Sequence, residues 1–192
     1  MSHNADEREK LLFQVAHASF PSYQESNIST IINNIEFQGS LPHSDCFEVT
    51  LNNELLSIPY RIYFKEPTTK QMSQLSSEQV VILNCLFTRH HNGYIRERNL
   101  KEIILVDKPT VIPFVIQLAG EYVYEIVEII YEHLNYLNID NYLNFITANP
   151  AYYQKTKARM ISYWNCNHRN QHKNLSNYKG LQIFKYFEKN LR

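Results

Sequence analysis

The chain has 192 residues, 44% of them hydrophobic, and a formal net charge of zero. That length buries most of the apolar surface without a metal or disulfide staple, and that composition excludes a disordered chain. The zero is a cancellation. Residues 151–192 hold nine Lys and Arg against one acid, Glu188, leaving ten and eighteen in residues 1–150; such asymmetry points to an electrostatic partner inside or outside the chain.

Cys46, Cys85 and Cys166 are far apart and odd in number, which does not read as a secreted disulfide framework. The first residues lack a basic stretch followed by an apolar one, so no signal peptide is expected. The longest apolar runs, 80–83 and 111–116, are far shorter than the roughly 20 residues of a membrane span. These features predict one soluble domain over 1–192, in the cytoplasm and without a membrane partner.

Residues 5–18 read as a first helix, because Leu11, Leu12, Val15 and Ala16 recur at helical spacing and Pro21 lies beyond the end. In 22–40, Ile28, Ile31, Ile32 and Ile35 repeat at three and four, which favours a short helix against the β preference of branched side chains. N-terminal helices are thus expected over 1–45. The period then changes. Cys46-Phe47-Glu48-Val49-Thr50-Leu51 and a second strand from Leu55 to Phe64 flank the turn signal Asn52-Asn53, a β-hairpin over 46–64. Pro59 makes the second strand an edge or breaks it in two. Residues 65–74 read as a polar connector.

Ser76 and Gln79 have the spacing of a capping box, with Leu75 and Val80 placed for a hydrophobic staple. A helix follows to about Arg89 and is broken by His90-His91-Asn92-Gly93. Another runs from Tyr94 to Leu105, and Asp107-Lys108-Pro109-Thr110 is a turn. Pro113 is tolerable only in a first turn, so the next helix begins near Thr110 and ends by Ala119. Gly120 punctuates, and 121–134 and 139–147 are helical again. Asn149-Pro150 reads as an N-cap with proline at the first position of a helix reaching Trp164. Residues 166–176 are polar and loop-like. Leu181, Phe184, Phe187 and Leu191 mark the apolar stripe of a last helix, closing the basic helices of 150–192.

Residues 77–134 therefore form two helical pairs, whose second helices open with Tyr94-Ile95 and Tyr122-Val123, 28 residues apart. On the runs Gly93-Tyr94-Ile95-Arg96-Glu97-Arg98-Asn99-Leu100 and Val111-Ile112-Pro113-Phe114-Val115-Ile116, this stretch resembles HEAT-type helical repeats over about 60 of the 192 residues. The second pair has Tyr124 where the first has Arg96, and the period is shorter than the roughly 40 residues of HEAT units. The resemblance implies stacked helical hairpins capped by the first and last thirds; the alternative is an ordinary bundle with two similar hairpins. The fold class is mainly α, a helical-hairpin, HEAT-like bundle with a small N-terminal β-hairpin.

Four scattered glycines provide neither a phosphate-cradling loop nor a dinucleotide fingerprint. No nucleophile elbow or paired metal-binding histidine motif occurs, so no catalytic residue and no cofactor is assigned. Cys166, His168 and His172 are suitable zinc ligand types, but a closed site takes four. The fourth would have to come from His43, His90 or His91, and a polar loop carrying histidines explains them equally. Arg89-His90-His91 ends a helix, where cations complement the helix dipole. Glu121, Glu125, Glu128 and Glu132 recur at helical spacing as an acidic face for a partner, or as a solvated surface.

Lys155, Arg159, Arg169, His172 and Lys173 are the candidate basic partner-binding set. Aromatics are interleaved with them (Tyr152, Tyr153, Tyr163, Trp164, Tyr178, Phe184, Tyr186, Phe187), a pattern that suits phosphates and stacked bases; alternatively the aromatics are core, or the basic end docks on the acidic body. The function expected is a non-enzymatic adaptor or accessory subunit that binds another protein. Nucleic-acid binding through the basic set is the alternative, and a small hydrolase or metal enzyme around His90, His91 and 166–172 a third.

Overall fold

A computed structural model of the chain describes residues 13–35 and 39–191. They divide into two compact units, Met1–Asn99 and Leu100–Arg192. The fold is mainly α, with two small antiparallel strand pairs near the N-terminus.

In the first unit, residues 13–19 are helical (α1) and bury Val15 and Ala16; residues 5–12 of the expected helix lie outside the described residues. A 3-10 turn, Ser22–Gln24, leads into α2 (Glu25–Asn34), which buries Ile28, Ile31 and Ile32. Burial of one apolar stripe thus outweighs the β preference of isoleucine.

Strands β2 (Cys46–Leu51) and β3 (Glu54–Pro59) pair in register from Cys46↔Pro59 to Leu51↔Glu54. Between them Asn52 and Asn53 have φ of 52° and 64°, the left-handed pair that a two-residue hairpin turn demands and that asparagine tolerates. Phe47, Val49 and Leu51 are buried while Cys46 and Glu48 face out, the alternation of a half-buried strand. The second strand does not run unbroken to Phe64. It stops at Pro59, and β4 (Ile62–Phe64) pairs instead with β1 (Gly39–His43). Ser44 N donates to Arg61 O and Tyr60 N to Asp45 O, both at 2.9 Å, which carries the ladder across the break.

The expected connector is also shorter than 65–74. Thr68 caps a one-turn helix, α3 (Thr69–Met72), through a reciprocal box with Gln71. The second box is present at the expected residues: Gln79 N donates to Ser76 Oγ at 3.3 Å and Ser76 N to Gln79 Oε1 at 2.9 Å. It opens α4 (Ser77–Phe87), which packs on α2. Helix α5 (Gly93–Ile103) begins after the histidine-containing break.

The second unit is built around α6 (Ile112–Ala119), every residue of which is buried. A 3-10 turn at Pro109–Val111 precedes it, so Pro113 falls in the first turn, where no hydrogen bond is lost. Around α6 pack α7 (Tyr124–His133), α8 (Ile139–Ala148) and α9 (Pro150–Tyr163). Pro150 does open α9, but the Asn149 side chain does not cap it; its Nδ2 donates back to Phe145 O at 2.9 Å.

Helix α9 continues as a π turn, Trp164–His168, so the expected loop at Cys166 is helical for three residues more. Helix α10 (Lys179–Asn190) packs on α7, α8 and α9. Its buried stripe is Gly180, Ile183, Phe184 and Phe187. Leu181 lies only half-buried and Leu191 is exposed. Gly180 is required by close approach: a Cβ there would lie 2.5 Å from Tyr178 Cε1 and 3.0 Å from Met160 Cγ. Among the described residues no helix is long and apolar enough to cross a membrane.

Candidate functional site

The acidic face is smaller than its spacing implied. Glu121 precedes α7 and is buried, so it is not part of an exposed ladder with Glu125, Glu128 and Glu132. Lys179, at the start of α10, approaches Glu128 Oε1 to 2.5 Å and Glu132 Oε1 to 3.8 Å, with its Nζ 5.5 Å from the centre of the Tyr131 ring. The hydrogen bond to Glu128 holds the Lys179 ammonium above its ordinary range. The basic end thus docks in part on the acidic residues of its own unit, and Glu125 is left exposed.

The basic set is not gathered into one patch. Arg159 faces inward: its Nε donates to Gly120 O and its Nη2 to Gln117 O, both at 3.1 Å. A guanidinium at the last carbonyls of α6 adds a donor where the helix runs out of its own, although Gln117 O also accepts from Gly120 N at 3.3 Å. Gly120 makes room for it, since a Cβ would lie 2.8 Å from Thr156 Cγ2 and 2.9 Å from Arg159 Nη2. Lys155 and Lys173 are exposed. Arg169 is exposed too, but donates to Asn165 Oδ1 at 3.1 Å and lies 5.9 Å from the Trp164 ring centre.

His172 is half-buried, stacked on Tyr124 with centroids 4.7 Å apart. His168 is buried, and its Nε2 donates to Tyr122 O at 2.7 Å. That bond occupies one ring nitrogen, whereas Cys166 is exposed to solvent. The His43 side chain lies outside the described residues. Among the described residues no three His, Cys, Asp or Glu side chains are grouped to hold a metal ion.

Four of the eight interleaved aromatics are core, and Tyr152, Tyr163, Trp164 and Tyr186 are half-buried. Tyr153, Tyr178, Phe184 and Phe187 are buried, Tyr153 Oη donates to Phe184 O at 3.2 Å, and Tyr152 Oη to Gln117 Oε1 at 3.0 Å. Burial pushes the Tyr178 hydroxyl up to about 12 and the Tyr153 hydroxyl higher still. These rings are not available for stacking on a base.

The histidine-containing turn is structural. Arg89 and Arg96 are fully buried. Arg89 Nη2 donates to Thr88 O at 2.7 Å, and Arg96 Nη1 bridges His90 O and His91 O at 2.9 Å each. His90 is held neutral: its Nε2 donates to Phe64 O at 2.9 Å while Nδ1 accepts from Asn92 N at 3.1 Å. Burial, opposed by the Phe64 bond, lowers its pKa. His90 is therefore not the helix-end cation that its position suggested. His91 stacks on Tyr63, centroids 5.1 Å apart. Burial also raises the Cys85 thiol far out of the thiolate range.

Concave surfaces are also present among the described residues, and of the candidate residues Glu132 lies on one of them. A shallow groove is lined by Leu105, Val106, Asp107, Ile112, Tyr136 and Tyr142. Leu105 and Tyr136 are 58% and 75% exposed. Asp107 accepts from the side-chain amides of Asn138 and Asn141 at 2.9 and 3.0 Å, which ties the two walls together. A cleft of about 440 Å³ between α7 and α10 is lined by Tyr131, Glu132, Gln182, Lys185, Tyr186 and Lys189, with Asn135 beside them. Comparison with known protein families, curated proteins and solved structures finds no match to this chain.

Proposed function

We propose that the protein is a non-enzymatic interaction module, an adaptor or accessory subunit, that docks a partner protein at the Leu105–Tyr136 groove. The observation that carries this reading is the pairing of two large, exposed apolar side chains on one concave surface. Single exposed apolar residues are ordinary, but two that share a groove mark a contact surface. The occupant is a protein segment that presents an apolar side chain, with the Tyr136 ring as its anchor, since tyrosine is enriched at interface cores. The engagement of His90, His168 and Arg159 with backbone carbonyls supports the non-enzymatic part of the reading.

A photo-reactive residue at position 105 or 136, expressed in the native host, should give one shared adduct, and Leu105→Asp should remove the adduct formed from position 136. Adducts at neither position overturn the reading, as does the same adduct from a reporter at exposed Lys155.

A further inference from the structure

We propose that the cleft between α7 and α10 seats one nucleotide of a single-stranded nucleic acid, its phosphate on Lys185 and Lys189 and its base against the tyrosine walls. This is independent of the protein-docking groove and uses none of its residues.

The charge pattern of the cleft comes from its neighbours. Three acids lie close enough in the fold or sequence to matter. Glu128 and Glu132 are engaged by Lys179 at 2.5 and 3.8 Å. Glu188, between the two lysines in sequence, is engaged by Lys157 of α9 at 2.5 Å. Lys185 and Lys189 lie on the cleft and are exposed, and among the described residues neither makes an ion pair. At a spacing of four, their Cβ atoms are about 5–6 Å apart on one helix face, where like charges repel. An anion between them relieves that repulsion, and phosphate, with its several acceptor oxygens, suits two ammonium groups.

Besides Glu132 and Leu134, the rest of the lining is uncharged and planar: two tyrosines and two side-chain amides. Gln182, Lys185, Tyr186 and Lys189 are spaced at three, four and seven and share the face of α10 that borders the cleft. Tyr186 is half-buried, its ring held edge-on to Phe187 with centroids 5.8 Å apart. Tyr131 forms the opposite wall, and Lys179 approaches its ring. Aromatic faces accept any base, and stacking of this kind is tolerant of sequence. Asn135 and Gln182 add amide donors and acceptors.

The volume, about 440 Å³, falls in the range of roughly 300–1,000 Å³ typical of small-ligand sites, which fits a single nucleotide unit and not a duplex. Glu132 borders the cleft and disfavours phosphate at its own end, so the strand is oriented with its phosphate toward Lys185 and Lys189. An acidic peptide would use the lysines but leave the rings without a role.

The test is fluorescence anisotropy of the full chain with a labelled, mixed-sequence single strand of about twelve nucleotides at low salt. One phosphate neutralised on a single strand predicts a fall of log affinity with log salt of about 0.7. Lys185→Glu with Lys189→Glu should weaken binding by tenfold or more. Lys155→Glu with Lys173→Glu makes the same charge change outside the cleft and should alter affinity by less than about twofold. Tyr186→Leu should weaken binding roughly tenfold, the loss of one stacked base. Because Tyr186 is half-buried, thermal unfolding accompanies each variant, and the exposed lysine pair decides the outcome if Tyr186→Leu does not fold. Absence of binding at low salt overturns the proposal. Equal losses in the two charge-reversed pairs also overturn it, since they would mean attraction by net charge alone. Displacement by a free mononucleotide at the same phosphate concentration overturns the strand as ligand.

Discussion

Two turns in this chain contain a glycine between helices, and they are held in different ways. At His90–Gly93 the polar groups are matched partly within the turn and partly by β4, where Ile62 N donates to Arg89 O at 2.9 Å and His91 N to Ile62 O at 3.0 Å. Asn92 Oδ1 accepts from Tyr94 N at 3.0 Å, His90 Nδ1 accepts from Asn92 N, and Arg96 closes the turn from six residues away. At Gly120 the matching groups come from α9. Arg159 reaches the Gly120 and Gln117 carbonyls across 39 and 42 residues of sequence, and Thr156 fills the space a side chain would occupy. Gly120 has φ of −96°, a value any residue adopts. Its role is the absence of a Cβ, not conformational freedom. One turn is held by its own residues and by the short strand β4; the other is completed by a distant helix.

Substitutions can break that contrast, and the largest effect should fall on the distant turn. Gly120→Ala forces a methyl against Thr156 Cγ2 and the Thr156 carbonyl, both under 3 Å away. Overpacking of this kind costs about 3 kcal/mol, to be read from denaturant unfolding. Thr156→Ala should restore only part of it, because the carbonyl contact stays. A cost under about 1 kcal/mol would show that α9 gives way easily and that the turn is not gated by it.

Arg159→Met comes next. It keeps much of the packing but leaves the Gln117 and Gly120 carbonyls without their guanidinium, a loss of about 2 kcal/mol in the same assay. Asn92→Ala removes one side-chain acceptor from a turn with other local bonds, so about 1 kcal/mol is expected.

The smallest effect is a pH slope that sharpens the account of the local turn. His90 has a lowered pKa in the folded chain because burial opposes its charge. The unfolded chain therefore takes up that proton first. Stability should be full above the ordinary imidazole value of about 6.5 and fall as pH drops below it toward the folded value. His90→Gln should flatten the slope in thermal melts between pH 7.5 and 5.

What the sequence made legible is what neighbouring residues settle among themselves. Ser76 with Gln79, Asn52 with Asn53, and the prolines at 113 and 150 each act within a few positions, so their spacing carries the information. Strand β1 escaped because Gly39 and Pro42 suppress a strand signature in its five residues, and its partner is a short segment beyond a break. The inward direction of Arg159 and the burial of Glu121 depend on which element arrives beside them, which no local pattern encodes. The charge split was visible, yet not its outcome. Lys179 and Lys157 engage acids, whereas among the described residues Lys185 and Lys189, in the same helix as Lys179, do not. The amphipathic stripe of α10 gives the direction in which Lys185 and Lys189 point, but the acids nearby are engaged by residues chosen by the packing of three helices.

The π turn at Trp164–His168 has a consequence for chain length. A π turn inserts about one residue relative to α-helical spacing, and each helical residue turns the chain by about 100°. Everything from His168 onward is therefore rotated relative to the face α9 would otherwise present. That phase offset brings His168 to the Tyr122 carbonyl and lets Trp164 Nε1 donate to His172 O at 2.9 Å. Asn165 and Asn167 are exposed, so exchanging either for another polar residue should leave the segment in place. Deleting Asn167 removes no buried side chain, yet it would restore α-helical phase and swing His168 and His172 away from Tyr122 and Tyr124. In these few positions the number of residues matters more than their identity.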